Sequence, residues 1–131
     1  MVNGASWRRA EIPAVNGHAT ARGIARFYAA LSEGGTLDGV TVLAEGTVRA
    51  MATQQCSGPD VLLGVDVSWG LGVGLNEYGF GMGGLGGAYG GGDLGRRFGF
   101  GYLTAAMADF DRVELVADTF EACVDQVRAG G

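Results

Sequence analysis

The chain contains no lysine: all nine basic residues among its 131 are arginine. These residues therefore offer no lysine general base, no Schiff-base amine and no Walker lysine. Histidine occurs once, at His18, and proline twice, at Pro13 and Pro59. So little proline excludes a collagen-like chain or a Pro/Gly linker. Cysteine is confined to Cys56 and Cys123, with no Cys-x-x-Cys or Cys/His cluster, which leaves a zinc site without support. Two free thiols in a cytosolic protein are the expectation, with a disulfide left open. No apolar run approaches the about 18 residues of a transmembrane helix, and MVNGASWRRAEIP lacks the apolar core of a signal peptide. The expectation is a cytoplasmic chain with no membrane partner. Positive charge is also scarce. The net charge of −5 is a poor match for nucleic acid. Arg8, Arg9, Arg22 and Arg26 make the first quarter locally basic, which reads as a solvated face.

What the chain has in excess is glycine, 26 residues of 131, against a usual share of about 7 %. Half of residues 79–102, GFGMGGLGGAYGGGDLGRRFGFGY, are glycine. Three readings compete. A phosphate cradle has a literal match, Gly81-x-Gly83-x-x-Gly86, but that fingerprint needs a helix directly after it. Residues 88–105 instead continue glycine-rich and β-like. A low-complexity tail would not space Phe80, Met82, Leu85, Tyr89, Phe98, Phe100 and Tyr102 so regularly. The third reading is a strand hairpin whose bare backbone lets a substrate lie close.

The length is that of one domain, residues 1–131. Residues 1–19 read as an irregular lead-in. Thr20 is a candidate N-cap, and Ile24, Phe27, Tyr28 and Leu31 form one apolar helical stripe ended by Gly34-Gly35. Residues 45–54 read as a second helix with Val48 and Met51 inward, and Gln54–Asp60 as a loop. Trp69–Leu75 alternates large residues with glycine and reads as one strand. Phe98–Tyr102 repeats the alternation. Asp111 is a candidate cap for a last helix with Val113, Val116, Ala117, Phe120, Val124 and Val127 on one face. The class is α+β: helices flanking an antiparallel sheet with three glycine-spaced strands.

On residues Trp7–Leu43 (WRRAEIPAVNGHATARGIARFYAALSEGGTLDGVTVL), VLLGVDVSWGLGVGL and FGMGGLGG…FGFGYLTAAM, the chain resembles the C-terminal part of serine β-lactamase-related hydrolases. These are the class C β-lactamase-like or family VIII carboxylesterases. The phrase IPAVNGHATARGIARFYAAL is similar to their esterase branch in particular. The resemblance implies a single partial domain over 1–131, the C-terminal portion of a β-lactamase/transpeptidase-like fold. It implies acyl transfer from a small ester, or secondarily a β-lactam, to water, with no cofactor and no metal.

In that family a Ser-x-x-Lys motif carries the nucleophile and a Tyr-x-Asn motif a general base. Neither occurs here. Ser6, Ser32, Ser57 and Ser68 have no lysine, and Tyr28, Tyr78, Tyr89 and Tyr102 lack the asparagine. No catalytic set is complete, and the chain alone is expected to be inactive. His18 precedes a helix cap and reads as structural. The third motif of the family, a polar triplet on the strand lining the cleft, corresponds to Met82, Gly83 and Gly84. Leu85 would offer a backbone N–H to an oxyanion. Methionine in the first place has no donor to orient a substrate. A second departure is Leu43-Ala44-Glu45-Gly46-Thr47-Val48, where the family has a Ser-Pro helix start. A sheet without strands from elsewhere would expose edges, so a homodimer or pairing with another chain is expected. The alternative function is a non-catalytic interaction module built on the same fold.

Overall fold

The computed structural model describes residues 4–15, 17–77 and 79–130. Element order is α1 (Ala5–Arg9), α2 (Ala21–Ser32), β1 (Thr36–Leu37), β2 (Val40–Thr41), α3 (Glu45–Met51), β3 (Cys56–Pro59), β4 (Asp66–Trp69), β5 (Gly74–Asn76), β6 (Gly79–Gly84), β7 (Ala88–Asp93), β8 (Phe98–Tyr102) and α4 (Asp111–Ala129). Strands β3 to β8 form one six-stranded antiparallel meander in chain order. The α+β class holds, with α2 and α4 on opposite faces of the sheet.

Helix α2 starts where its cap chemistry places it. The Thr20 Oγ1 accepts the Gly23 N–H at 3.0 Å. It stops at Gly34 and Gly35, both at positive φ, where the Gly35 N–H reaches back to the Ala30 carbonyl at 2.7 Å. Leu31 and Val48 are fully buried and pack with Met51, Val73 and Phe80 on the α2 side of the sheet. Phe27 departs from the expected stripe. It is 46 % exposed and meets the core only through an edge-to-face contact with Tyr28.

The glycine alternation acquires its first meaning here. In β8 the aromatic residues face α4, where Phe98 and Phe100 stack on Phe120. Gly99 and Gly101 face α2. A Cβ at Gly101 would lie 2.8 Å from the Ala25 nitrogen, and one at Gly99 2.7 Å from the Ala29 Cα. Helix α2 thus rests its backbone directly on β8. Gly90 and Gly92 in β7 do the same under Ile24, Tyr28 and Ser32.

Several expectations are corrected. Trp69–Leu75 is two strands rather than one. Gly72 takes φ +74° and turns the chain, while the Gly70 N–H bonds the Val73 carbonyl at 2.9 Å. The sheet therefore has more strands than the three glycine-spaced ones expected. Cys56–Pro59, expected as loop, is the edge strand β3, paired with β4 from Cys56↔Trp69 to Pro59↔Asp66. The second helix ends at Met51. Asp111 is the first residue of α4, not its cap; Phe110 precedes the helix and makes no side-chain cap bond. On α4, Val113 and Glu121 are buried, with Ala117, Phe120 and Val124 half-buried. Val116 and Val127 are exposed, so the buried stripe is narrower than the apolar pattern.

Ser32 is buried against the Gly92 backbone, and its hydroxyl has no hydrogen-bond partner among the described residues. A buried unpaired hydroxyl costs about 1–3 kcal/mol. Ser32→Ala is expected to raise the midpoint of urea unfolding by an amount equivalent to about 1 kcal/mol. A lower midpoint would mean that the hydroxyl is paired in solution.

Candidate active-site cleft

The residues singled out by resemblance sit at the end of β6 and in the turn that follows. Met82, Gly83 and Gly84 pair with Gly90, Tyr89 and Ala88 of β7. On the other side, β5 pairs only as far as Gly81. Among the described residues, the β6 edge beyond Gly81 therefore has no strand beside it. An unpaired edge presents backbone N–H and C=O groups to whatever lies alongside. Met82 is 42 % exposed on the α2 side. Gly83 faces the other way, under the Phe110 ring; a Cβ there would be 2.9 Å from Phe110 Cε1. Leu85 opens the tight turn to β7 and is 88 % exposed. The turn is held from behind, where the Ala108 N–H donates to the Gly86 carbonyl at 3.1 Å. No helix follows Gly86, so the phosphate-cradle geometry is absent.

Beside this edge lies a groove of about 510 Å³, lined among others by Ser57, Ser68, Trp69, Met82, Gly83 and Tyr89. Ser57 and Ser68 face each other across β3 and β4. They are the two serines brought to the groove. Ser32 is sealed beneath α2, and Ser6 lies exposed on α1. The only interaction of the Ser57 hydroxyl in the structure is with the Gln54 amide, at 3.3 Å, which is no base. His18 lies just before α2, whose first residue, Ala21, packs on Gly101 of β8. That is the opposite edge of the sheet from β3. No Ser–His pair is assembled.

The tyrosines are no better placed as bases. Burial pushes the Tyr28 phenol above its ordinary value, and the nearby Tyr89 adds to the effect. Burial also raises Tyr89, against the opposing hydrogen bond from Asn76. Both stay protonated at neutral pH. Tyr78 lies outside the described residues. Cys56 and Cys123 are free thiols, both exposed.

Two features escaped sequence reasoning. One is a charged knot at the β7–β8 turn. Arg96 reaches Asp93 at 3.2 Å and Asp125 at 3.5 Å, pairs with Glu121, and lies 5.1 Å over the Phe98 ring. Only the Asp93-x-x-Arg96 spacing could have signalled it. The other is a second cavity on the α4 face of the sheet, reaching the reverse side of Gly83.

A glycine-floored antiparallel sheet held between helices, with a cleft strand open along part of one edge, has the architecture of a β-lactamase/transpeptidase-like hydrolase. The chain belongs to the beta-lactamase family: the family model described as Beta-lactamase matches residues 1–122. It is 41 % identical over 85 residues to "Esterase/beta-lactamase LipL" of Mycobacterium tuberculosis (strain ATCC 25618 / H37Rv), over 60 % of this chain and 20 % of that protein. Among solved structures, a family VIII carboxylesterase superimposes with a TM-score of 0.76 at 38 % identity, over 81 % of this chain and 31 % of that one. A penicillin-binding-protein homologue from Caulobacter crescentus does so with a TM-score of 0.72 at 39 % identity, over 78 % of this chain and 30 % of that one. The chain thus spans about a fifth of the curated relative and three-tenths of the solved ones.

Proposed function

We propose that these residues form the sheet wall of an ester-hydrolysing serine-hydrolase cleft and do not hydrolyse esters unaided. The observation that carries the reading is the free β6 edge at Met82–Gly84 beside a groove. An ester laid along that edge would meet backbone groups rather than side chains. Gly84 leaves room for its acyl part, and the Leu85 N–H is one of two oxyanion donors. Such a donor contributes about 2.7–4 kcal/mol to an acyl-transfer transition state, but only once a nucleophile has attacked. With no lysine and no Tyr-x-Asn in 131 residues, the nucleophile and base come from other residues than these.

The test is reconstitution. The chain is mixed with the amino-terminal segment of a family VIII carboxylesterase bearing Ser-x-x-Lys and Tyr-x-Asn. Turnover of p-nitrophenyl butyrate is expected in the mixture and in neither part alone. A mixture that co-elutes yet stays inactive would refute the cleft-wall reading.

The interaction-module reading has its own support in the outer edge of β8, which has no neighbour among the described residues. Val61 and Leu62, 97 % and 96 % exposed, add apolar surface near the other edge. Pairing through these edges, with a second copy or another chain, is compatible with the first reading.

A further inference from the structure

The cavity on the α4 face of the sheet measures about 530 Å³. Small-molecule pockets span about 300–1,000 Å³. Phe98, Phe100, Phe110 and Phe120 line it, with Val113 and Ala117 from α4. Its floor is sheet backbone at Gly83 and Gly91. The two neutral polar side chains on its wall, Asn76 and Tyr89, are hydrogen-bonded to each other. Glu121 is engaged by Arg96. The remaining charged groups, Glu114 and Asp118, are exposed residues one turn apart on α4 and border it on the solvent side. Asn76, Gly83 and Tyr89 line this cavity and the cleft groove alike.

We infer that this cavity takes the uncharged acyl chain of an ester held at the cleft strand, so that the substrate class is esters of extended aliphatic acids. The inference rests on the cleft-strand reading of β6. Apolar walls with satisfied polar groups favour a chain with no hydrogen-bonding demands of its own. The carboxylates of Glu114, Asp118 and Glu121 repel an anionic end, so a free fatty acid binds less well than its ester. The shared Gly83 puts the cavity within reach of the cleft, because no side chain stands between the two at that residue.

The experiment is a fluorescence titration of the 131-residue chain with the neutral apolar probe N-phenyl-naphthylamine, followed by displacement. Saturable binding is expected. Methyl decanoate should displace the probe at concentrations about tenfold lower than decanoate does, and methyl acetate should not displace it. Ala117→Phe and the smaller Ala117→Leu fill the cavity from α4 and should weaken probe binding by about tenfold or more, with unchanged circular dichroism. The inference is overturned if the wild-type chain binds no probe. It is equally overturned if both folded variants bind like the wild type, or if methyl acetate displaces as well as methyl decanoate. Probe binding that appears only as a dimer dissociates would place a second copy in the cavity and also overturn it. Ester turnover plays no part in this titration. Failure of the cleft-wall reading would therefore show in the reconstitution assay and leave the titration unchanged.

Discussion

One added methyl group at residue 99 is expected to unseat α2. Gly99→Ala would bring a Cβ into overlap with the Ala29 nitrogen and the Ala25 carbonyl, and to 2.7 Å from the Ala29 Cα. All three are backbone atoms of a helix, so no rotamer change relieves the contact. The helix must lift from β8, and with it Tyr28 and Leu31 lose contact with the core beneath them. Overpacking costs about 1–3 kcal/mol where side chains can adjust, and occasionally more; here about 3 kcal/mol or above is expected. Domains of this size hold about 5–15 kcal/mol in all. The same substitution at Gly46 should act in the opposite sense. Gly46 lies in the first turn of α3 with nothing within 4 Å of a Cβ. Gly46→Ala should stabilise by up to about 1 kcal/mol. Urea unfolding of both variants checks the pair. Equal midpoints would mean that α2 does not rest on the β8 backbone.

The second large effect lies in the charged knot between the β7–β8 turn and α4. Three carboxylates share the Arg96 guanidinium, whose side chain is 20 % exposed. Burial works against the Arg96 charge, but Asp93, Glu121 and Asp125 more than offset it, so the arginine is held charged. For Glu121 the balance is reversed. Burial pushes its carboxyl above the ordinary carboxylate value, and Arg96 only partly pulls it back, while Asp125 and Asp93 push further up. The two directions differ because one cation serves three anions.

Arg96→Leu leaves Asp93 and Glu121 without their cation and should cost about 3–5 kcal/mol near neutral pH. Glu121→Gln should cost nothing there and is expected to raise the melting temperature. A carboxyl whose folded value is raised contributes stability when protonated, at pH below its unfolded value. That contribution is lost as pH rises through the folded value. The advantage of Glu121→Gln should therefore vanish on acidification to pH about 4. The Arg96→Leu defect should shrink over the same range. Melting curves of both variants at the two pH values test this. An Arg96→Leu defect that grows on acidification would contradict the assignment of the charges.

How much of this was legible in the sequence varies element by element. Helix α2 was legible because Thr20, the apolar spacing and Gly34-Gly35 all mark the same ends. Strand β8 was legible because Phe98, Phe100 and Tyr102 alternate strictly with glycine. The same alternation misled at Trp69–Leu75. Glycine fits both a pleated strand and a left-handed turn, and only Gly72 at φ +74° decides which. Strand β3 was missed because Cys-Ser-Gly-Pro has the composition of a loop and is held as a strand by β4 alongside it.

The glycines themselves were read as room for a substrate. In the structure Gly90, Gly92, Gly99 and Gly101 make room for α2, and the cleft strand keeps Gly83 and Gly84. The half-open edge of β6 is a matter of where β5 stops, which no residue in β6 announces. The charged knot unites residues from the β7–β8 turn and from α4, a separation that local patterns do not bridge.

The measurement that bears most directly on the cleft-wall assignment is intact mass after exposure of the purified chain to a fluorophosphonate probe, with p-nitrophenyl butyrate turnover read in parallel. No adduct and no turnover are expected, because Ser57 and Ser68 reach the groove without a lysine, a histidine or an ionised tyrosine beside them. A single stoichiometric adduct accompanied by turnover would contradict the assignment, since it would mean that one of the four serines has found a base within these residues.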